Sequence, residues 1–275
     1  MVRGITNTHP ELGGMLMSTR HTISTLLISA VLAAGGPSHA TVIDVPADQP
    51  TIQAGIGAAT NGDTVLVAPD TYSETIDFVG KPIVVGSLYL TTGDPAYVAS
   101  TIIDGGGTAG PLASFTSGED PLSVLVGFTL RHGSAFRGAG ILCEYSSPRI
   151  TDCAIHSNEA LNDGGGIYAR ECGPIVENCR VEGNTAINHS GGGFGVRLGS
   201  PRITGCAFIG NLAHDEGGAI FCEDSSPVIT DNVIDDNTST VTYAGGIMNR
   251  NCTAVIARNI ISNNHTNGIG GGLFY

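Results

Sequence analysis

The sequence predicts an all-β fold in which short parallel strands wind into coils stacked on copies of themselves. Two observations carry this. A Gly-rich step closed by an apolar residue recurs six times, from Gly138-Ala139-Gly140-Ile141 to Gly270-Gly271-Gly272-Leu273, with spacings of 26, 27, 26, 27 and 26 between the apolar positions. Other columns keep the same beat: Asn158, Asn184, Asn211, Asn237 and Asn264, and Cys153, Cys179, Cys206, Asn232 and Asn259. A fixed period of this length marks one structural unit repeated along an axis.

Within each repeat the apolar pattern gives strands. After Pro148, Pro174, Pro201 and Pro227 comes an apolar residue at the second position, Cys or Asn at the fifth, apolar again at the seventh and Asn at the tenth. These runs are short, β-branched and punctuated by Gly, Asn and Pro, which favours strands and turns over helix. Three short strands per coil fit the length, with equivalent residues stacked about 4.8 Å apart. Asn tolerates the left-handed backbone of a tight corner, and its stacked amides can bond along the axis. Gly supplies positive φ and close backbone approach at the next corner.

This is the repeat pattern of the right-handed parallel β-helix, a three-sheet solenoid with about 26 residues per coil. The chain resembles the pectin-lyase-like superfamily. Its Gly-Gly-Ala-Ile and Gly-Gly-Gly-Ile steps, paired with the Asn ladder, are also similar to repeats of chlamydial polymorphic outer membrane proteins. The resemblance implies the fold over 120–275 and, more loosely, over 41–119. It implies no single activity, because lyases, hydrolases, epimerases, adhesins and passengers share this architecture.

Ahead of the repeats, residues 1–40 read as a secretion signal with an upstream extension, Met17 being an alternative start. Arg20 and His21 precede an apolar run from Ile23 to Ala34, and Ser38-His39-Ala40 fits a small-x-small cleavage site. The remainder, 41–275, reads as one domain. In its opening part, 41–119, apolar Ile52, Ile56 and Ala59 lie at helical spacing within Pro50 to Thr60, so a short N-terminal helix is expected to cap the first coil. Asp63 to Ala68 and Pro82 to Val85 read as early strands, and Leu88 to Tyr97 as a surface loop. The sequence ends at Tyr275, just inside a strand, so a C-terminal capping segment or partner is expected at that end.

The net charge is −13, and without residues 1–40, which hold two basic residues and one acidic, it is −14. Such a chain repels nucleic acid and anionic membranes, and acidic polysaccharides unless cations intervene. Seven cysteines are present without any Cys-x-x-Cys. Their regular columns favour buried thiols over disulfides or a zinc site. Neither a metal nor another cofactor is expected.

Function is expected on outward positions. If Ile167 and Ala169 point inward, Tyr168 and Arg170 point outward. Stacking then gives an outer column of Leu142, Tyr168, Gly195, Phe221, Met248 and Phe274, beside Glu144, Arg170, Arg197, Glu223 and Arg250. The first column is expected to be an exposed contact surface for sugar rings or a protein, the second a ladder of opposite charges. A second face offers His156, Arg180, Glu182 and Asp235 as acid–base candidates. Lyases of the resembled superfamily hold Ca²⁺ with acidic residues and abstract a proton with a basic one, so Ca²⁺ enters only under that alternative. The expectation is an exported cell-surface or extracellular scaffold binding carbohydrate or a surface protein. A polysaccharide lyase or glycoside hydrolase is the alternative.

Overall fold

The computed structural model describes residues 40–106 and 109–275. The secretion signal expected over 1–40 therefore lies outside the described residues, save Ala40. The stacked coils are present. One nine-stranded sheet runs from Val42–Val45 through Arg149–Thr151 to Val255–Ala257, and is called sheet I. Sheet II, eight-stranded, runs from Asp70–Tyr72 through Ala154–His156 to Ile260–Ser262. Sheet III, also eight-stranded, runs from Ile76–Asp77 through Ile167–Arg170 to Leu273–Phe274. Successive strands of one sheet come from successive coils and pair in parallel, as in Ile141↔Ile167 and Ile167↔Phe194.

This register stacks like on like. Ile141, Ile167, Phe194, Ile220 and Ile247 form one fully buried column, and Ile155, Val181, Phe208 and Ile234 another. Each coil thus covers the apolar side chains of its neighbours, which no coil could bury alone. A short fourth sheet joins the three principal ones. It is six-stranded, with two-residue strands from Ser134–Ala135 through Glu159–Ala160 to His265–Thr266, and is called the ledge.

The asparagine ladder holds the corner between sheet II and the ledge through the expected stacked amides, whereas the expected left-handed backbone falls on other residues. The left-handed residues at this corner stand one position earlier, at Ser157, Gly183, Gly210, Asp236 and Asn263. The asparagines instead bridge coils. Asn158 Nδ2 donates to Asn184 Oδ1 at 2.9 Å, Asn184 Nδ2 to Asn211 Oδ1 at 3.0 Å, and Asn211 Nδ2 to Asn237 Oδ1 at 2.9 Å. Each Oδ1 also accepts the backbone N–H of the preceding coil's asparagine, so backbone groups left free by the bend are satisfied.

The N-terminal helix, Ile52–Ala58, covers the first coil with Ile52 and Ile56 fully buried. Thr51 Oγ1 accepts from Ala54 N, and the Glu74 carboxylate accepts from the N–H groups of Ile52 and Gln53, each at 2.9 Å. At the other end, Nζ of the sole lysine, Lys81, donates to the carbonyls of Ile56, Gly57 and Ala59 at 2.7–2.9 Å. Both ends of a seven-residue helix are therefore closed by side chains whose charges suit its dipole. The segment expected as a surface loop instead forms two short helices, Tyr89–Thr92 and Ala96–Ser100. Tyr89 Oη donates to Asp152 there at 3.1 Å, tying the insertion to the stack. All seven cysteines are free thiols, six of them buried.

Candidate functional site

The site begins with the glycine steps. After each ledge strand the chain turns back through residues such as Gly164, Gly165 and Gly166 into sheet III. Gly164 has φ +68°, and a Cβ on Gly165 would lie 2.5 Å from the carbonyl oxygens of both Gly192 and Thr185. No side chain fits there, so the ledge packs backbone to backbone against the glycine column.

This fold-back corrects the expected contact surface. Tyr168, Phe221 and Met248 do leave the outer side of sheet III, but they are only 0%, 0% and 4% exposed. Phe221, Ala244 and Met248 form a small second core, with Tyr243 and Phe274 stacked beside it at 4.6 Å between ring centres. Gly195 is the gap in the aromatic column because Tyr168 lies across it: a Cβ there would stand 3.3 Å from Tyr168 Cδ2. The aromatic column is a covered second layer, not an open face.

Arginines and carboxylates lie over this layer. The expected pairs Arg197–Glu223 and Arg250–Glu223 both form, the latter at 3.1 Å. Arg170 pairs with Glu171 at 3.3 Å, rather than with Glu144 on the neighbouring coil. The network also enlists residues that sequence reasoning passed over. Asp163, with its side chain 1% exposed, sits 3.5 Å from Arg137 Nε and 3.3 Å from Arg197 Nε. Glu216, almost as deeply buried, pairs with Arg250. Arg137, Asp163 and Glu216 each directly precede a glycine step, so the repeat itself carried the signal. The guanidiniums also lie against the covered rings, Arg137 at 5.2 Å from the centre of Tyr168 and Arg197 at 5.0 Å from that of Phe221.

Between these side chains opens a cleft of about 300 Å³, lined by Arg137, Tyr168, Arg170, Arg197, Leu198, Glu223 and Asp224. Phe221, Met248 and Arg250 are not among its lining residues, although Arg250 pairs with the lining Glu223. Arg137 also walls a second, larger hollow of about 580 Å³ that reaches Phe136, Leu142, Leu161 and Ile187. Tyr168 Oη and Arg137 Nε are buried with no hydrogen-bond partner among the described residues. Burial pushes the Tyr168 phenol above its ordinary pKa, so it remains protonated and able to donate.

The acid–base candidates occupy the outer face of sheet II. His156 lies opposite Glu182 on the next coil and opposite Arg131 on the previous one. Glu182 is engaged by Arg180 at 2.6 Å. Asp235 is two coils from Glu182, with Ile209 between them, and accepts from Ser262 Oγ at 2.7 Å and Asn263 Nδ2 at 2.9 Å. The two carboxylates are thus separated and separately partnered. Partial burial, and then the charge of Arg131, lower the His156 pKa, favouring the neutral ring. Among the described residues no group of three or more His, Cys, Asp and Glu is disposed to hold a metal ion.

With this geometry in hand, comparison with known proteins is decisive for the family. The model of the family described as right handed beta helix region matches residues 125–272, more than half of the chain. The chain belongs to the right-handed β-helix family. No curated protein and no solved structure gives a significant match. In this β-helix the cleft and the ledge both lie within the matched coils. The family defines the scaffold, while any chemistry rests on the residues of the cleft.

Proposed function

We propose that this β-helix is an exported cell-surface or extracellular scaffold that binds carbohydrate, or a protein partner, through the cleft on sheet III. The observation that carries the reading is the cleft itself: three arginines and two carboxylates lining one concavity over a buried tyrosine. Rigid coils hold each of these side chains at fixed spacing, a favourable base for a binding surface. Export is supported by the signal-like residues 1–40 and rests on sequence alone.

The register of His156 opposite Glu182, with the histidine kept neutral, favours one second reading, a lyase or hydrolase acting on the sheet II face. Incubating the purified chain with a panel of polysaccharides separates the two. Retention on a polysaccharide without new reducing or unsaturated ends is expected. Release of such ends, abolished by Glu182→Gln, would replace the scaffold reading with the enzymatic one.

A further inference from the structure

A row of exposed apolar side chains borders the ledge. Phe136, Leu161 and Ile187 each directly follow a ledge strand, and they are 60%, 49% and 38% exposed. The backbone ladder stacks them on successive coils, Leu161 N donating to Ala135 O at 2.8 Å and Ile187 N to Ala160 O at 2.9 Å. The fold does not require apolar residues there. The next two members of the row are His214 and Thr240, each held by the same ladder at 3.0 Å. With Leu142, the three apolar side chains wall the hollow of about 580 Å³. An apolar patch that the stack neither buries nor needs marks a contact surface.

The charges beside the row select the partner. Glu144 and Glu159 line the hollow, and among the described residues neither carboxylate forms an ion pair. Arg137, the arginine that lines it, is turned to Asp163 at 3.5 Å. Arg170, opposite Glu144 in the strand register, is taken by Glu171. Two uncompensated carboxylates on a chain of net charge −13 favour a cation. A second copy of this chain would bring the same carboxylates and the same net charge against them. A sugar ring needs a flat apolar face, but the one aromatic ring here, Phe136, has the Arg137 guanidinium 5.3 Å from its centre. The branched walls of Leu142, Leu161 and Ile187 instead suit aliphatic side chains, in a volume ordinary for ligand pockets. We propose that the hollow docks a peptide segment of a partner protein in which Lys or Arg flanks aliphatic residues. The aliphatic groups enter the hollow and the cations meet Glu144 and Glu159. This surface is additional to the cleft on sheet III, with which it shares Arg137 as a wall.

Fluorescence anisotropy with a labelled decapeptide alternating Leu and Lys tests the proposal on the full chain. The controls are the same peptide with Glu for Lys and with Ser for Leu. Saturable binding of the Leu–Lys peptide alone is expected, weakening as salt rises. Leu161→Ser should lower its affinity about five- to tenfold, as for loss of an apolar anchor. Glu159→Gln should lower it about two- to fivefold. Both positions are exposed, and the row accepts His214 and Thr240, so neither melting temperature should fall. Asp70→Asn removes the same charge at an exposed position at the start of sheet II, and should leave affinity unchanged. Retention on polysaccharide should also be unchanged in Leu161→Ser, which keeps failure of this proposal separate from failure of the cleft reading. Absence of saturable Leu–Lys binding, equal binding of either control peptide, or a loss in Asp70→Asn equal to that in Glu159→Gln would overturn the proposal. So would a dimer in sedimentation that Leu161→Ser dissolves, which would assign the row to a second copy.

Discussion

Replacing Asn184 by Ala tests the physical account of the stack at a fully buried polar position. Asn184 Oδ1 accepts from Asn158 N at 3.1 Å and Asn158 Nδ2 at 2.9 Å, while its Nδ2 donates to Ile155 O at 2.9 Å and Asn211 Oδ1 at 3.0 Å. In the variant, Asn158 Nδ2 keeps Leu130 O and Asn211 Oδ1 keeps the backbone N–H of residue 184. The Asn158 N–H and the Ile155 carbonyl lose these side-chain partners in a water-free interior. The carbonyl keeps its strand bond to the next coil, so the stranded Asn158 N–H sets the loss, about 1–3 kcal/mol. Asn264 is the internal control. It makes the same kind of bridges to Asn237 but is only half-buried, so water replaces them and Asn264→Ala should lose about 1 kcal/mol. Stacked coils unfold in units, so the readout combines the urea midpoint with amide exchange in the coil bearing Asn158. Equal losses in the two variants, or a loss below ~1 kcal/mol at Asn184, would refute the reasoning.

Two further outcomes follow from the structure. Phe221→Ser should destabilise by about 3–5 kcal/mol, as for other buried aromatic truncations, before any effect on ligand is read; a melting temperature equal to wild type would mean that Phe221 is exposed after all. Burial alone would raise the pKa of Asp63, but the N–H and hydroxyl groups of Thr41 and Thr60 bring it down to about 2 from 3.8. A lowered folded-state pKa stabilises above the ordinary value and loses that contribution as the pH falls through 3.8 towards 2. Melting temperatures measured across that window should therefore converge for wild type and Asp63→Asn, and parallel curves would contradict the assignment.

The coil, its length and its inward columns were legible because burial repeats with the backbone: the positions of Ile141, Ile150 and Ile155 recur with every turn. The cap helix was legible in Ile52 and Ile56, whereas the bond from Lys81 to its last carbonyls was not, being set by a contact between separate elements. The aromatic column was placed on the correct side of sheet III and given the wrong exposure. Strand alternation says which side of the sheet Tyr168 leaves, but not what lies over it. That cover comes from residues leading into the glycine steps, such as Arg137, Tyr243 and Ala244, and from the guanidiniums of Arg197 and Arg250. Asp163 and Glu216 stood in the same column as Arg137 just before each glycine step, and a column containing charges beside a presumed open face was the missed sign of a covered one. The cleft itself arises from side chains of four coils and so has no signature in any one repeat.

Mapping where a bound oligosaccharide protects the chain tests the central claim most directly. Hydrogen exchange measured with and without a trisaccharide selected by titration should show protection confined to the segments around Arg137, Tyr168 to Arg170, Arg197 to Leu198 and Glu223 to Asp224. Protection around Arg131, His156 and Glu182 instead would contradict the account and move the functional surface to sheet II.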